Sequence, residues 1–187
     1  MWLFKAFFAL LALGLLAFGG LSLYGLSLPQ QHHERVTVDL PASQAQVWDL
    51  LTAYADMPKW WDQVKTVKEG QAPNGAVITW NEDEHGQRVG FVTKEQKRPK
   101  LLVREIYDPK EALGWGGTWT FRLEKLGKGK PVRTRLSVTE DGFVSNPLFR
   151  VLIAKVFGYQ RQLASFTTAL DAEIRRQTKA EKAQGPH

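Results

Sequence analysis

Three clusters of side chains could move a proton, hold a metal or bind an anion. His32 and His33 are adjacent, Glu82-Asp83-Glu84-His85 gathers acids beside an imidazole, and Arg104-Glu105 sets a cation next to an acid. Acid–base catalysis needs donor and acceptor within hydrogen-bond reach of each other and of a substrate. Adjacent histidines on an extended backbone point to opposite faces, so His32 and His33 do not converge on one ion. The acidic cluster runs into Gly86 between two alternating stretches, which is the chemistry of a solvated turn. Arg104 and Glu105 are different. On a central strand one of them must face inward, where it would meet a bound molecule; on an edge strand neither need do so. Glu140 and Asp141 pose the same choice near the end of the last strand. The chain has no cysteine, which excludes thiolate catalysis and cysteine-based metal or redox motifs. No nucleophile–base spacing, metal-ligand pattern or cofactor fingerprint stands out, so no catalytic residue, metal or cofactor is assigned.

The elements that must position these residues follow from periodicity. Glu34–Leu40 alternates as a strand, Pro41 breaks it, and Ser43 is placed to cap a helix through Val47, Trp48, Leu50 and Leu51. Asp56-Met57-Pro58 begins a second short helical turn carrying Trp60 and Trp61. Strand-like runs follow at 64–69, 76–81, 89–96, 101–107, 118–126 and 132–141, separated by turn chemistry at Gly86-Gln87, Asp108-Pro109 and Gly127–Pro131. Consecutive strands favour an antiparallel sheet. Asn146-Pro147 then opens a long helix. Its apolar stripe runs through Phe149, Leu152, Ile153, Val156, Leu163, Thr167, Leu170 and Ile174, with Gly158 interrupting it. The expectation is an α+β domain whose curved sheet wraps one long helix. A short linker (29–33) precedes this domain (34–176), and a flexible charged tail (177–187) follows it.

The chain of 187 residues carries 25 Lys or Arg against 19 Asp or Glu, a formal charge of +6, and is 43% hydrophobic. That apolar content excludes a disordered chain. From Ala6 to Leu28 there is no charge, and the run is long enough to cross a bilayer core of about 30 Å as a helix. A cleaved signal and a retained anchor both fit, and the length favours the anchor. Lys5 ahead of it points to a single-pass membrane protein with its soluble domain outside the cytoplasm. Arg122, Lys125, Lys128, Lys130, Arg133 and Arg135 make one hairpin basic. A solvated tip is the simplest reading; among phosphate partners an adjacent membrane favours lipid headgroups, and no nucleic-acid motif accompanies the charge.

Three segments carry a family likeness: VTVDLPASQAQVWDLLTAYADMPKWW, GGTWTFRLEKLGKGKPVRTRLSVTEDG and NPLFRVLIAKVFGYQRQLASFTTALDAEI. With the strands between them they span about residues 34–176. The chain resembles the START-related SRPBCC superfamily, and within it the polyketide cyclase/dehydrase and lipid-transport branch. The resemblance implies a helix-grip fold with a cavity between sheet and C-terminal helix that holds a hydrophobic small molecule or lipid. The residues expected to line it are Trp80, Val103, Glu105, Trp119, Phe121, Leu136, Val138, Val156 and Leu163. Two functions fit: a monomeric, membrane-tethered binding or carrier module, or a cyclase/dehydrase-type enzyme using the same cavity. The missing acid–base constellation favours the first.

Overall fold

The computed structural model describes residues 2–110, 112–127 and 132–184. An N-terminal helix, α1 (Trp2–Ser27), is followed by strand β1 (Gln31–Leu40), helix α2 (Gln44–Thr52) and a 3-10 turn at Tyr54–Lys59. Then come β2 (Thr66–Gln71), β3 (Val77–Glu82), β4 (Arg88–Lys97), β5 (Leu101–Ile106), β6 (Trp115–Leu126) and β7 (Arg133–Val144), and finally α3 (Pro147–Leu152) and α4 (Gln160–Gln184). The strands form one seven-stranded sheet in the order β1-β7-β6-β5-β4-β3-β2. Every neighbouring pair is antiparallel. β1 thus closes the sheet against the last strand, and the sheet curls around α4 as the helix-grip expectation requires.

Alternation decides what the sheet offers α4. Leu102, Trp119, Phe121, Leu123, Leu136 and Val138 point to the concave side, where they join Leu163, Phe166, Leu170 and Ile174 of α4 in one buried cluster. Val47, Trp48, Leu50 and Leu51 of α2 cover another flank of it. α2 starts with a complete capping box: the Ser43 hydroxyl accepts from Gln46 N–H, and the Gln46 side chain accepts from Ser43 N–H. Asn146 caps α3 by accepting from the Leu148 and Phe149 amides, with Pro147 in the first turn.

Three boundaries differ from the sequence reading. Gln31–His33 belong to β1 and pair with β7, so the linker is shorter than expected. The charged tail continues α4 as far as Gln184. The single long helix is two: α3 passes into a π-helical turn at Ile153–Phe157 and ends at Gly158, whose φ of +75° is left-handed and suits glycine. The two helices turn different faces to solvent, so the stripe does not continue across the break. Leu163 is 0% exposed, but Val156 is 65% exposed.

α1 is a different object. The stretch Phe4–Ser27 is long and apolar enough to cross a membrane, and its apolar window is 0% buried against the rest of the chain. It meets the domain at its C-terminal end, where Gly25 lies so close to the Pro147 carbonyl that a side chain would collide with it.

Leu163→Ala should lower stability by about 2–5 kcal/mol, the range for emptying a fully buried leucine site, measured as a fall in urea midpoint. Val156→Asp should leave the midpoint unchanged. An equal loss in both would place the two residues in one buried stripe.

Candidate functional site

The space between α4 and the middle of the sheet is filled. Leu136, Val138 and Leu163 are all 0% exposed and line no opening. Within this packed region a void of about 20 Å³ remains, bounded by Leu51, Met57, Trp61, Asn81, Phe91 and Arg104, with Leu102, Trp119, Phe121 and Phe166 behind. The open volume lies nearer the end of the sheet where β6 begins and β7 ends. One cleft there, of about 470 Å³, is lined by Trp61, Val64, Phe91, Ile106, Trp115 and Trp119, with the acidic β3–β4 turn at its rim. A second, of about 580 Å³, lies beside the α3–α4 break and includes His32, Phe143, Ile153, Gly158, Tyr159 and Arg161. Gln63, Trp115, Glu140 and Gln162 line both clefts, and Trp61, Asn81, Phe91 and Trp119 line both the first cleft and the inner void. The three spaces therefore follow one another from the domain edge to its interior.

The expected cavity residues divide accordingly. Trp119 and Phe121 reach the inner void, and Trp119 also lines the adjoining cleft. Trp80 is on the outward face instead. It packs over Gly90 and meets Tyr107 edge-on at 6.0 Å, with the Arg88 guanidinium 5.0 Å above its ring. Val103 and Glu105 also face outward, because Leu102 and Arg104 between and beside them take the inner side; Glu105 pairs with Lys94 at 2.8 Å. Val156 lines neither cleft nor void.

Arg104 is the inward member of its pair. It is 5% exposed, lies 4.0 Å over the Tyr54 ring and 4.9 Å over the Phe91 ring, and donates to the Thr79 hydroxyl. Its Nε has no hydrogen-bond partner among the described residues, and neither has the neighbouring Asn81 Oδ1. Burial pulls the guanidinium down to about 10, a shift that the Tyr54 hydroxyl only partly opposes. A charge so desolvated, with no carboxylate paired to it among the described residues, weakens the native state.

The outer cleft contains a pair that sequence reading passed over. His32 shares the inward face of β1 with Val36, Val38 and Leu40, and this parity was the available signal. Its ring stacks on Tyr159 at 4.3 Å and occupies space that only a glycine at position 142 leaves free. His32 Nε2 lies 3.9 Å from a Glu140 oxygen, with both side chains nearly buried, while His32 Nδ1 has no partner among the described residues. His33 and Asp141 pair on the opposite, exposed face at 2.5 Å. Trp61 is tied to α4 through Ser165, whose hydroxyl accepts from the indole at 3.4 Å and from Gln63 at 2.9 Å.

The remaining clusters lie outside this path. In the β3–β4 turn the Asp83 carboxylate accepts from the His85 and Gln87 amides, which is turn capping. In the basic hairpin Lys128 and Lys130 lie outside the described residues, and Asp39 pairs with Arg135 at 2.8 Å and Arg133 at 3.8 Å. That hairpin joins the opposite ends of β6 and β7 from the one α1 adjoins, about 35 Å away along the strands. Its distance removes the argument for headgroup contact beside the anchor.

Comparison with known proteins gives the fold a lineage. The Zhui aromatase/cyclase from Streptomyces sp. R1128 matches with a TM-score of 0.62 and 15% identity, over 79% of this chain and 96% of that one. Norcoclaurine synthase from Thalictrum flavum matches at 0.59 and 12% identity, over 79% and 96%. A START superfamily protein from Mycobacterium smegmatis matches at 0.56 and 18% identity, over 78% and 98%. At these identities the likeness is one of fold. No curated protein matches in sequence. The family described as polyketide cyclase / dehydrase and lipid transport matches residues 31–171, nearly the whole domain after α1, and the chain belongs to that family.

Proposed function

We propose that the protein is a membrane-tethered carrier of an apolar ligand, held in the clefts between the end of the sheet and α4, with its polar group turned toward Arg104. The observation that supports this best is the continuous path from the domain edge to a buried guanidinium, walled by Trp61, Phe91, Trp115 and Trp119. The two clefts fall within the size of small-molecule sites, ~300–1,000 Å³. The inner void holds little more than a water, so the ligand's polar group reaches Arg104 only after Trp61 or Phe91 shifts. Such a group supplies the compensation that the guanidinium lacks. α1 supplies the tether, and the full-length chain should stay with membranes through a high-pH carbonate wash; release in soluble form would end the tether reading.

Fatty acids or polycyclic probes added to the full-length protein in detergent should change tryptophan emission saturably, since Trp61, Trp115 and Trp119 line the first cleft. A broad apolar panel without effect would overturn the carrier reading. Arg104→Met should keep or raise the melting temperature while weakening binding of ligands that carry a carboxylate or phenolate. Burial makes the native arginine shed its proton at about 10, well before the unfolded one does. Wild-type stability should therefore gain from Arg104 as pH rises through that window, and the Met variant should lack this gain.

The His32–Glu140 pair favours a second reading, an enzyme of the cyclase/dehydrase type in which this pair removes a proton α to a carbonyl. Catalytic hydrogen bonds are often long in unliganded sites, so 3.9 Å is compatible with the role. Exchange of the acidic protons of a 1,3-diketone probe into deuterated water, followed by NMR, should then be accelerated by the protein and lose that acceleration in Glu140→Gln. Equal exchange in both proteins would leave the carrier reading alone.

A further inference from the structure

We propose that Phe149, Leu152 and Val156 insert into the lipid–water interface beside the exit of α1, so that the outer cleft opens onto the bilayer and an apolar ligand passes between the two without crossing water. This rests on the reading of α1 as a membrane span.

The argument begins with how α3 is fixed. Gly25 near the end of α1 packs against the Pro147 backbone, where any side chain would collide. Arg150 is 2% exposed and donates to the Leu28 carbonyl at 2.8 Å and the Ser145 carbonyl at 3.0 Å. The Lys155 ammonium stands 5.8 Å over the Tyr24 ring. α3 and the π-helical turn are thus clamped to the last turn of α1, and a spanning α1 sets them level with the headgroups.

The surface they present there is apolar. Phe149 is 53% exposed, Leu152 43% and Val156 65%, and Phe143 at the end of β7 is also exposed. From Pro147 to Phe157 the only charged residues are Arg150, which is turned inward, and Lys155, whose long stem can carry its ammonium up to a phosphate. A bilayer is the occupant to which this patch commits, because it continues the exposed apolar surface of α1 rather than standing alone. Ile153, Gly158 and Phe143 link it to the outer cleft, since they form part of that cleft's wall.

The lack of cysteine makes the test clean. Single substitutions Leu152→Cys, Val156→Cys, Leu13→Cys in α1 and Lys97→Cys at the far end of the sheet are labelled with an environment-sensitive fluorophore. The full-length chain is then reconstituted in phosphatidylcholine/phosphatidylglycerol vesicles. Labels at 152 and 156 should shift to the blue and be quenched by lipids brominated high on the acyl chain, the label at 13 by lipids brominated deep, and the label at 97 by neither. A deep label at 13 with water-exposed labels at 152 and 156 would overturn this inference and leave the anchor standing. A water-exposed label at 13 would end both. A blue shift at 152 without lipid quenching would mean that a protein covers the patch, which also overturns the proposal. Finally, the variant carrying Phe149→Ser, Leu152→Ser and Val156→Ser should load a dansyl fatty acid from vesicles about tenfold more slowly, yet bind it equally when it is added in detergent. Equal loading from vesicles would refute direct passage.

Discussion

Phe166 sits where the rings of Trp60, Trp61, Trp119 and Phe121 converge, at centroid distances of 5.5, 5.1, 5.7 and 5.7 Å. These rings come from α4, from the segment after the 3-10 turn and from the middle of the sheet, and edge-on and tilted packing between them fixes all three parts together. The junction lies inside the wider cluster in which the concave face of the sheet is buried against α4 and α2. The same junction sets where the domain is solid and where it is open. Large rings fill the centre and leave only a slot beside Arg104, so the usable volume is displaced toward the end at which α4 begins.

The polarity of the site follows from this displacement. Its closed end carries a buried guanidinium whose Nε has no partner among the described residues; its open end carries a histidine and a glutamate 3.9 Å apart, flanked by aromatic walls. Holding Arg104 inside works against folding, and residues kept at such a cost tend to belong to function rather than to architecture. A ligand with one polar terminus and a flat or extended apolar body matches the sequence of environments along the path. The same layout suits a reaction at the outer end, where His32 and Glu140 face the cleft.

Much of the fold was legible in the sequence because it depends on local chemistry. The period of two in β6 and β7 correctly put Trp119, Phe121, Leu136 and Val138 on the concave side, and Ser43, Asn146 and Pro147 marked helix starts by hydrogen bonds that neighbouring residues complete. The site was less legible. Leu136, Val138 and Leu163 lie on the expected face, but whether a face is filled or hollow depends on how rings from distant segments mesh, and periodicity is blind to that. Trp80, Val103 and Glu105 show the limit on parity. Each is expected on the inward side, yet Asn81 and Arg104 take it; the rings of Tyr54 and Phe91 and the Thr79 hydroxyl receive the guanidinium there, which a strand rule that admits only apolar residues does not anticipate. Val156 failed for another reason: the left-handed turn at Gly158 rotates the stripe, and one glycine in a helical pattern does not announce a break. His32 could have been found, since it is in phase with Val36 and Val38; its partner Glu140 depended on the β1–β7 register.

The joint between α1 and the sheet has little slack. Leu28, Pro29 and Gln30 are all that separate the helix from β1, Leu28 is held by Arg150, and the Gln30 carbonyl accepts from the Val144 amide at 2.9 Å. A domain on a loose string would sample many orientations relative to the helix; this one is mounted on α1 like a bracket, with a single heading. If α1 spans a membrane as proposed, its encounters with lipid-borne molecules become a search in two dimensions with the angle of approach already set. Rotation about the membrane normal is then the main freedom left to it.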